Sequence, residues 1–285
     1  MRGGFRGTRA PRRNANTFLT LPGPPLRFKL DFSAVYWNSK LAGEHRRVVE
    51  EISCRKSGKS NRGVVPSVSK GTATKGTTSK EAPDTPSTPP PVVADVMAGI
   101  GPFAIPLASK FGVSVLANDL NPSSHKYLLQ NSRLNKCSDK LKPYNLDGRE
   151  FIHKLSDEGV RFQYAIMNLP AIAVEFLDAF RGFSVSRCGR PTVYVYGFYK
   201  ADTEEEIEGL VRGRCEDALG CGITEDCGFV IHRVRDVAPK KPMVCARFRI
   251  PREVEGMERV DLGDYDKGIR RKGREGPDRK RRKVE

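Results

Sequence analysis

Apolar residues in this chain gather into short runs separated by longer stretches of helical spacing. The runs Val92–Met97, Ser114–Asn118, Leu141–Tyr144, Tyr164–Asn168 and Thr192–Phe198 are strand-length and dominated by apolar residues, as expected of strands covered on both faces. Between or after them, Phe103–Lys110, Ser123–Leu134, Ala171–Phe180 and Glu204–Leu219 repeat apolar positions at helical spacing. Thr203 followed by Glu206 supplies a capping box for the last of these. Two further runs, Phe229–Val237 and Val244–Ile250, have no helix between them and predict an antiparallel pair. The order predicts an α/β fold with a mostly parallel central sheet and helices on both faces.

Composition divides the rest of the chain. Lys56 to Pro91 is rich in Ser, Thr, Lys, Gly and Pro, so burial there returns less than ordering the backbone costs, and a flexible insertion is expected. The tail from Lys267 ends in the run Arg279–Lys283, which suits a nuclear import receptor, phosphates or plain solvent. Met1 to Leu30 holds no acid and seven basic residues, compatible with an organellar presequence, an RNA-contacting arm or disorder. The expected organisation is therefore a basic segment 1–26, a portion 27–54, an insertion 55–91, a sheet domain 92–251 and a charged tail 252–285.

A formal charge of +16 over 285 residues points to a polyanionic partner such as nucleic acid. The seven cysteines form no framework and fit a reducing compartment. Cys215, Cys221 and Cys227 lack a tight CxxC pair or a nearby histidine, so no metal site is expected. No apolar stretch approaches the roughly 20 residues a bilayer crossing needs, and a soluble chain without a membrane partner is the expectation.

Ligands of such sheets bind beyond the carboxyl ends of the strands, where Asp95, Asp119, Asp147 and Asn168 fall. Gly99 and Gly101 let the backbone turn sharply, as a ligand cradle or as a plain structural turn. Asp119 and Asp147 can accept from a nucleoside or cap a following helix. Asn168, before Leu169 and Pro170, can read a ring edge that both donates and accepts, or can open a turn. Upstream, Tyr36 and Trp37 suit either base stacking or a core, Lys40, Arg46 and Arg47 suit phosphates, and Glu44 is either a proton acceptor or a solvated helix residue.

Seven ordered blocks, DFSAVYWNSKLAGEH, DVMAGIGPFAIPLASK, ANDLNPSSHKYLLQNSRLNK, NLDGREF, IMNLPAIAVEFLDAF, PTVYVYGF and HRVRDVAP, resemble the tRNA (guanine37-N1)-methyltransferases of eukaryotes and archaea. The resemblance runs from Arg27 to Pro251 apart from the insertion. It implies a class I, Rossmann-like methyltransferase fold, S-adenosylmethionine as cofactor, tRNA as partner and methylation of N1 of guanine 37. By the same resemblance Asp95, Gly99, Gly101 and Phe103 line the methionine side of the cofactor pocket. Asp119 holds the ribose, and Leu120, Asp147 and Gly148 lie near the adenine. Asn168 and Pro170 frame the target guanine, with Asn168 also touching the cofactor; Tyr36 shapes the site and Glu44 stands at the general base. A monomer is expected, in the cytoplasm, mitochondrial matrix or nucleus.

Two departures from the family pattern stand out. The region before Arg27 is shortened, with NTFLTLPG placing Leu19 where the family carries an arginine, and Lys40 replaces another arginine. Leu19 and the shortened region favour one alternative, a tRNA-binding pseudoenzyme; a second alternative, a methyltransferase acting on another tRNA base, stays open because cofactor motifs alone do not choose the nucleobase.

Overall fold

The computed structural model describes residues 14–19, for which only the backbone is considered, 25–54 and 90–263. The run Arg279–Lys283, the Leu19 side chain and nearly all of the Lys56–Pro91 segment lie outside the described residues.

The chain opens with a hairpin of β1 (Asn14–Leu19) and β2 (Leu26–Asp31), followed by helix α1 (Ala42–Cys54). The main unit then alternates β3 (Val92–Asp95), α2 (Ala104–Phe111), β4 (Ser114–Asn118), α3 (Pro122–Leu134), β5 (Leu141–Tyr144), α4 (Gly148–Asp157) and β6 (Tyr164–Met167). After a 3-10 segment Ala173–Phe180 and the short α5 (Val185–Cys188) come β7 (Thr192–Phe198), α6 (Glu204–Leu219), β8 (Val230–Ala238) and β9 (Lys241–Arg249). Among the described residues the large sheet runs β5-β4-β3-β6-β7-β9-β8, with β9 and β8 antiparallel as the sequence predicts. This is a Rossmann-like α/β fold, a mostly parallel central sheet flanked by helices.

Alternation along each strand divides the core between two faces. Ala94, Ala165, Met167, Val193 and Val195 pack under α4, the 3-10 segment and α6. Val93, Val115, Ala117, Ile166, Tyr194 and Tyr196 pack under β2, α1, α2 and α3. The 27–54 portion is thus part of the second face rather than an appendage.

The structure departs from the sequence expectation in several elements, with β1, α1 and α5 among the additions, and three of the departures bear on the site. Helix α4 is additional; Asp147 caps it by accepting from the Arg149 amide, and Phe151, Ile152 and Leu155 fill its buried side. The expected helix at Ala171–Phe180 is a 3-10 segment because its burial repeats every three residues: 173, 176 and 179 with 174, 177 and 180 are buried, matching three residues per turn rather than 3.6. Strand β2, absent from the expected elements, has its free edge bound by side chains. Asn131 accepts from the Lys29 amide at 2.8 Å and Asn135 from the Arg27 amide at 3.0 Å. No helix among the described residues is long and apolar enough to cross a membrane.

Candidate active site

Strands β3 and β6 are paired neighbours, with β4 on the far side of β3, so the loops leaving their carboxyl ends meet where the chain changes direction across the sheet. Asp95 closes β3 fully buried, and neither carboxylate oxygen makes a hydrogen bond of normal geometry. Burial, and after it the charge of Asp119, push the Asp95 carboxyl up to about 8, with the nearby Ala104 amide acting weakly the other way. A buried acid left in this condition lacks a counter-charge.

The glycine turn follows. Gly101 has φ +98°, and a Cβ there would come within 2.6 Å of Ile105 Cγ1 and 2.9 Å of Leu128 Cδ1, so helix packing demands glycine. Gly99 has φ +56°, yet a Cβ would meet nothing within 4 Å; the backbone there borders open space. The Gly99 amide donates to Asp119 Oδ2 at 2.8 Å and the Asn121 amide to Oδ1 at 2.9 Å. Burial raises the Asp119 pKa while these two amide bonds lower it. Asp119 is therefore anchored beside the turn and is not the helix cap; Asn121 caps α3. Leu120 beside it is 62% exposed. Asp147 is the cap of α4, and Gly148 packs closely enough that a Cβ would lie 3.0 Å from Phe176 Cδ1.

Beneath these loops Asn118 ties three strand ends together. Its amide nitrogen donates to Val96 O and Leu146 O, and its oxygen accepts from the Leu146 amide. At the end of β6, the Asn168 side-chain oxygen is buried without a partner, Leu169 is 42% exposed and Pro170 is half-buried. The segment after Pro170 is held by Arg149, whose guanidinium forks onto Asp178 at 2.7 and 2.9 Å and lies 4.0 Å from the Phe176 ring centroid.

Glu44, on the first turn of α1, is only 7% exposed and so is not a solvated helix residue. Arg47 grips both its oxygens at 2.7 and 2.8 Å, the Tyr196 hydroxyl donates to Oε1 at 2.8 Å, and His232 Nε2 lies 3.4 Å from Oε2. Tyr196, Cys245 and His232 stand opposite one another in register across β7, β9 and β8, so α1 lies over this row. Arg47 continues to Glu51, which Arg247 also contacts. Although burial opposes it, the Glu44 contact holds the Arg47 guanidinium above its ordinary pKa.

Aromatic contacts connect this cluster to the glycine turn. Phe103 is 1% exposed, edge-on to His45 with centroids 4.7 Å apart and 6.3 Å from Tyr196. It supports the turn from below. Burial lowers the His45 pKa to about 4, so this ring is neutral. Tyr36 is 76% exposed and its hydroxyl accepts from Asn38, while Trp37 is half-buried, 5.6 Å from Phe28.

Thus Asp95, Gly99 and Asp119 form one cluster, Glu44 belongs to a second, and Phe103 lies between them. The roles of Asn118, Asn131, Arg149 and Tyr196 went unread in the sequence, because each acts through partners far along the chain. Only Asp147 followed by Glu150, a capping signal, could have announced α4. Among the described residues no group of three or more His, Cys, Asp or Glu is placed to hold a metal ion.

Residues 85–202 match the TRM5/TYW2 methyltransferase domain. The chain is 42% identical over 240 residues to a tRNA (guanine(37)-N(1))-methyltransferase 1 of Phaeodactylum tricornutum, covering 82% of this chain and 48% of that protein. It is 38% identical over 243 residues to the human tRNA (guanine(37)-N(1))-methyltransferase, covering 80% and 40% respectively. Among solved structures, Trm5b from Pyrococcus abyssi superposes with a TM-score of 0.53 at 27% identity, covering 84% of this chain and 57% of that one. The chain spans between 40% and 57% of the length of these proteins. With its Rossmann-like sheet and this likeness along most of its length, the chain belongs to the TRM5/TYW2 methyltransferase family.

Proposed function

We propose that this chain is a tRNA methyltransferase that uses S-adenosylmethionine to methylate N1 of guanine 37. The observation that carries this reading is the pair of buried acceptors without partners, Asp95 and Asn168, at the ends of two adjacent strands. One is an acid in need of a cation; the other is an amide oxygen in need of a hydrogen-bond donor. The methyl donor carries positive charge on its sulfonium and amino groups, and the guanine edge carries N–H donors.

The residues present fit that donor. Asp95 faces its cationic part, the bare backbone at Gly99 allows close approach while Gly101 seats the turn against Ile105 and Leu128, and Asp119 keeps acceptor capacity for ribose hydroxyls beyond its two amide bonds. Leu120 offers apolar surface to the adenine, with Asp147 and Gly148 at the start of α4 on its other side. The donor supplies the electrophilic methyl group, and the protein supplies orientation and electrostatics.

On the RNA side Asn168 and Pro170 frame the guanine and exposed Tyr36 offers a ring to it. Guanine N1 holds a proton at neutral pH, and Glu44 is the carboxylate assigned to take it. In the RNA-free protein Glu44 is bonded to Arg47 and Tyr196, so RNA binding must loosen one of these contacts before the proton moves. The portion 27–54 then forms the RNA side and 92–251 the donor side. All the assigned residues come from one chain, which suits a monomer.

A second reading is a tRNA-binding pseudoenzyme, favoured by the fully engaged Glu44 carboxylate. Transfer of labelled methyl to unmodified tRNA separates the two, with a tRNA carrying a replaced guanine 37 as control and Glu44→Gln as variant. Labelling is expected to vanish with the replaced base and to fall roughly 10²- to 10⁴-fold in the variant. Labelling that survives base replacement would defeat the position assignment, and donor binding without product would establish the pseudoenzyme.

A further inference from the structure

At the edge of the sheet opposite the proposed donor site, a cleft of about 350 Å³ opens among Tyr164, Thr192, Arg161, Arg190 and Arg249. Tyr164, Thr192 and Arg249 stand opposite one another in register, at the amino ends of β6 and β7 and the carboxyl end of β9. Three guanidinium groups thus reach one cleft from three separate segments, and no carboxylate lines it.

The three are not equivalent. Arg190 is fixed and only 9% exposed along its side chain: it donates to Ile250 O at 2.9 Å and to Asp226 Oδ2 at 2.7 Å. Arg161 and Arg249 make no side-chain hydrogen bond or ion pair among the described residues. Gly189, with φ +83°, leaves the wall open beside Arg161; a Cβ there would lie 3.8 Å from Arg161 Nη2. Two unneutralised forks beside a third, buried one attract an oxyanion strongly. Forks arriving from three segments match an anion with several oxygens better than the two of a carboxylate.

We propose that this cleft is a phosphate-binding site, separate from the methyl-transfer site. β7 spans seven residues, and at about 3.3 Å per residue the cleft lies roughly 20 Å from the carboxyl ends of the strands. A phosphodiester of the RNA that enters the methyl-transfer site can reach that far; a free phosphate compound is the other source of the same chemistry. Recognition of phosphate itself does not depend on the proposed methylation.

The test compares the whole chain with its Arg161→Gln/Arg249→Gln variant. Thermal unfolding in inorganic phosphate, against chloride at equal ionic strength, is expected to raise Tm in the parent chain and to leave the variant unmoved. A tRNA titration over a range of salt is expected to show roughly tenfold weaker binding in the variant and a salt dependence flatter by about two phosphate contacts. Loss of the phosphate effect with tRNA binding unchanged would identify a free phosphate compound as occupant and retain the site. Equal phosphate effects in both proteins, or none in the parent, would overturn it. Binding of S-adenosylmethionine, unchanged in the variant, shows that the fold is intact, and Arg161→Lys/Arg249→Lys is expected to recover part of the phosphate effect.

Discussion

Asp95 and Glu44 are both acids taken almost entirely out of water, 0% and 7% exposed, yet their surroundings are opposite. Glu44 has a guanidinium fork, a phenol and the edge of an imidazole. Asp95 has no hydrogen-bond partner of normal geometry and a second acid nearby. Burying a charge is tolerable only when partners replace the lost water. The Glu44 cluster is therefore complete in the protein alone, whereas the Asp95 cluster lacks the counter-charge that a cationic ligand would supply. Under the proposed function, a donor entering at Asp95 would relieve this unpaired charge, while RNA arriving at Glu44 would compete with bonds already made.

The contrast is tested most severely at Arg47. Arg47→Met leaves the Glu44 carboxylate buried without its fork, and breaking a buried pair in this way costs about 3–5 kcal/mol. The lower end is expected, because the Arg47 side chain is 31% exposed. Urea unfolding measures the loss, and Arg47→Met/Glu44→Gln should recover much of it, since the amide leaves no charge behind. A loss below about 1 kcal/mol would place Glu44 among ordinary surface pairs and erase the distinction from Asp95.

Asp95→Asn should act in the reverse direction on stability. The unfolded chain releases this proton near 3.9 and the folded chain near about 8. Between those values the folded state binds more protons, so this group's contribution to stability falls as pH rises from the lower value and levels off above the higher. The asparagine variant removes that slope. Without ligand it should be more stable than its parent at pH 8, by about 2 kcal/mol, and should bind the donor on the order of 100-fold more weakly through loss of a charged contact. Thermal melts across pH and donor titration measure both. A variant that is less stable without ligand would show that Asp95 is already satisfied.

How much of this was visible beforehand differs between the two clusters. Around Asp95 the signals are local: an apolar run ending in an acid, glycines and a proline, then a second run ending in Asp119. The parallel sheet itself follows from the same short apolar runs. Around Glu44 the partners Tyr196 and His232 lie far along the chain on other strands, and neither helical nor strand spacing indicates such a meeting. The three-residue rhythm of Ala173–Phe180 was present in the sequence but easily taken for helix. Asn131 is another nonlocal case, joining α3 to Lys29 O and to Ile100 O of the glycine turn. Asn131→Ala should destabilise by about 1–3 kcal/mol and weaken donor binding and RNA turnover together, because it links the two sides. An effect on one side alone would show that the clusters are positioned independently.

The smallest expected effect lies at the rim of the Glu44 cluster. His232 reaches Glu44 at 3.4 Å with its side chain 47% exposed. Burial, then the Arg47 charge, lower its pKa, while Glu44 and Glu51 pull the other way. With the folded value below the unfolded one, the unfolded chain takes the proton first as pH falls through about 6.5, so this group's contribution to stability is lost on the acid side. Solvent and salt screen so exposed a site, and His232→Gln should change stability by less than about 0.5 kcal/mol near neutral pH. The variant should also flatten the acid-side slope slightly, as pH-resolved urea unfolding would detect. A cost above about 2 kcal/mol would mean that His232 holds Glu44 as firmly as Arg47 does, and the carboxylate proposed to take the guanine proton would then be gripped from both flanks.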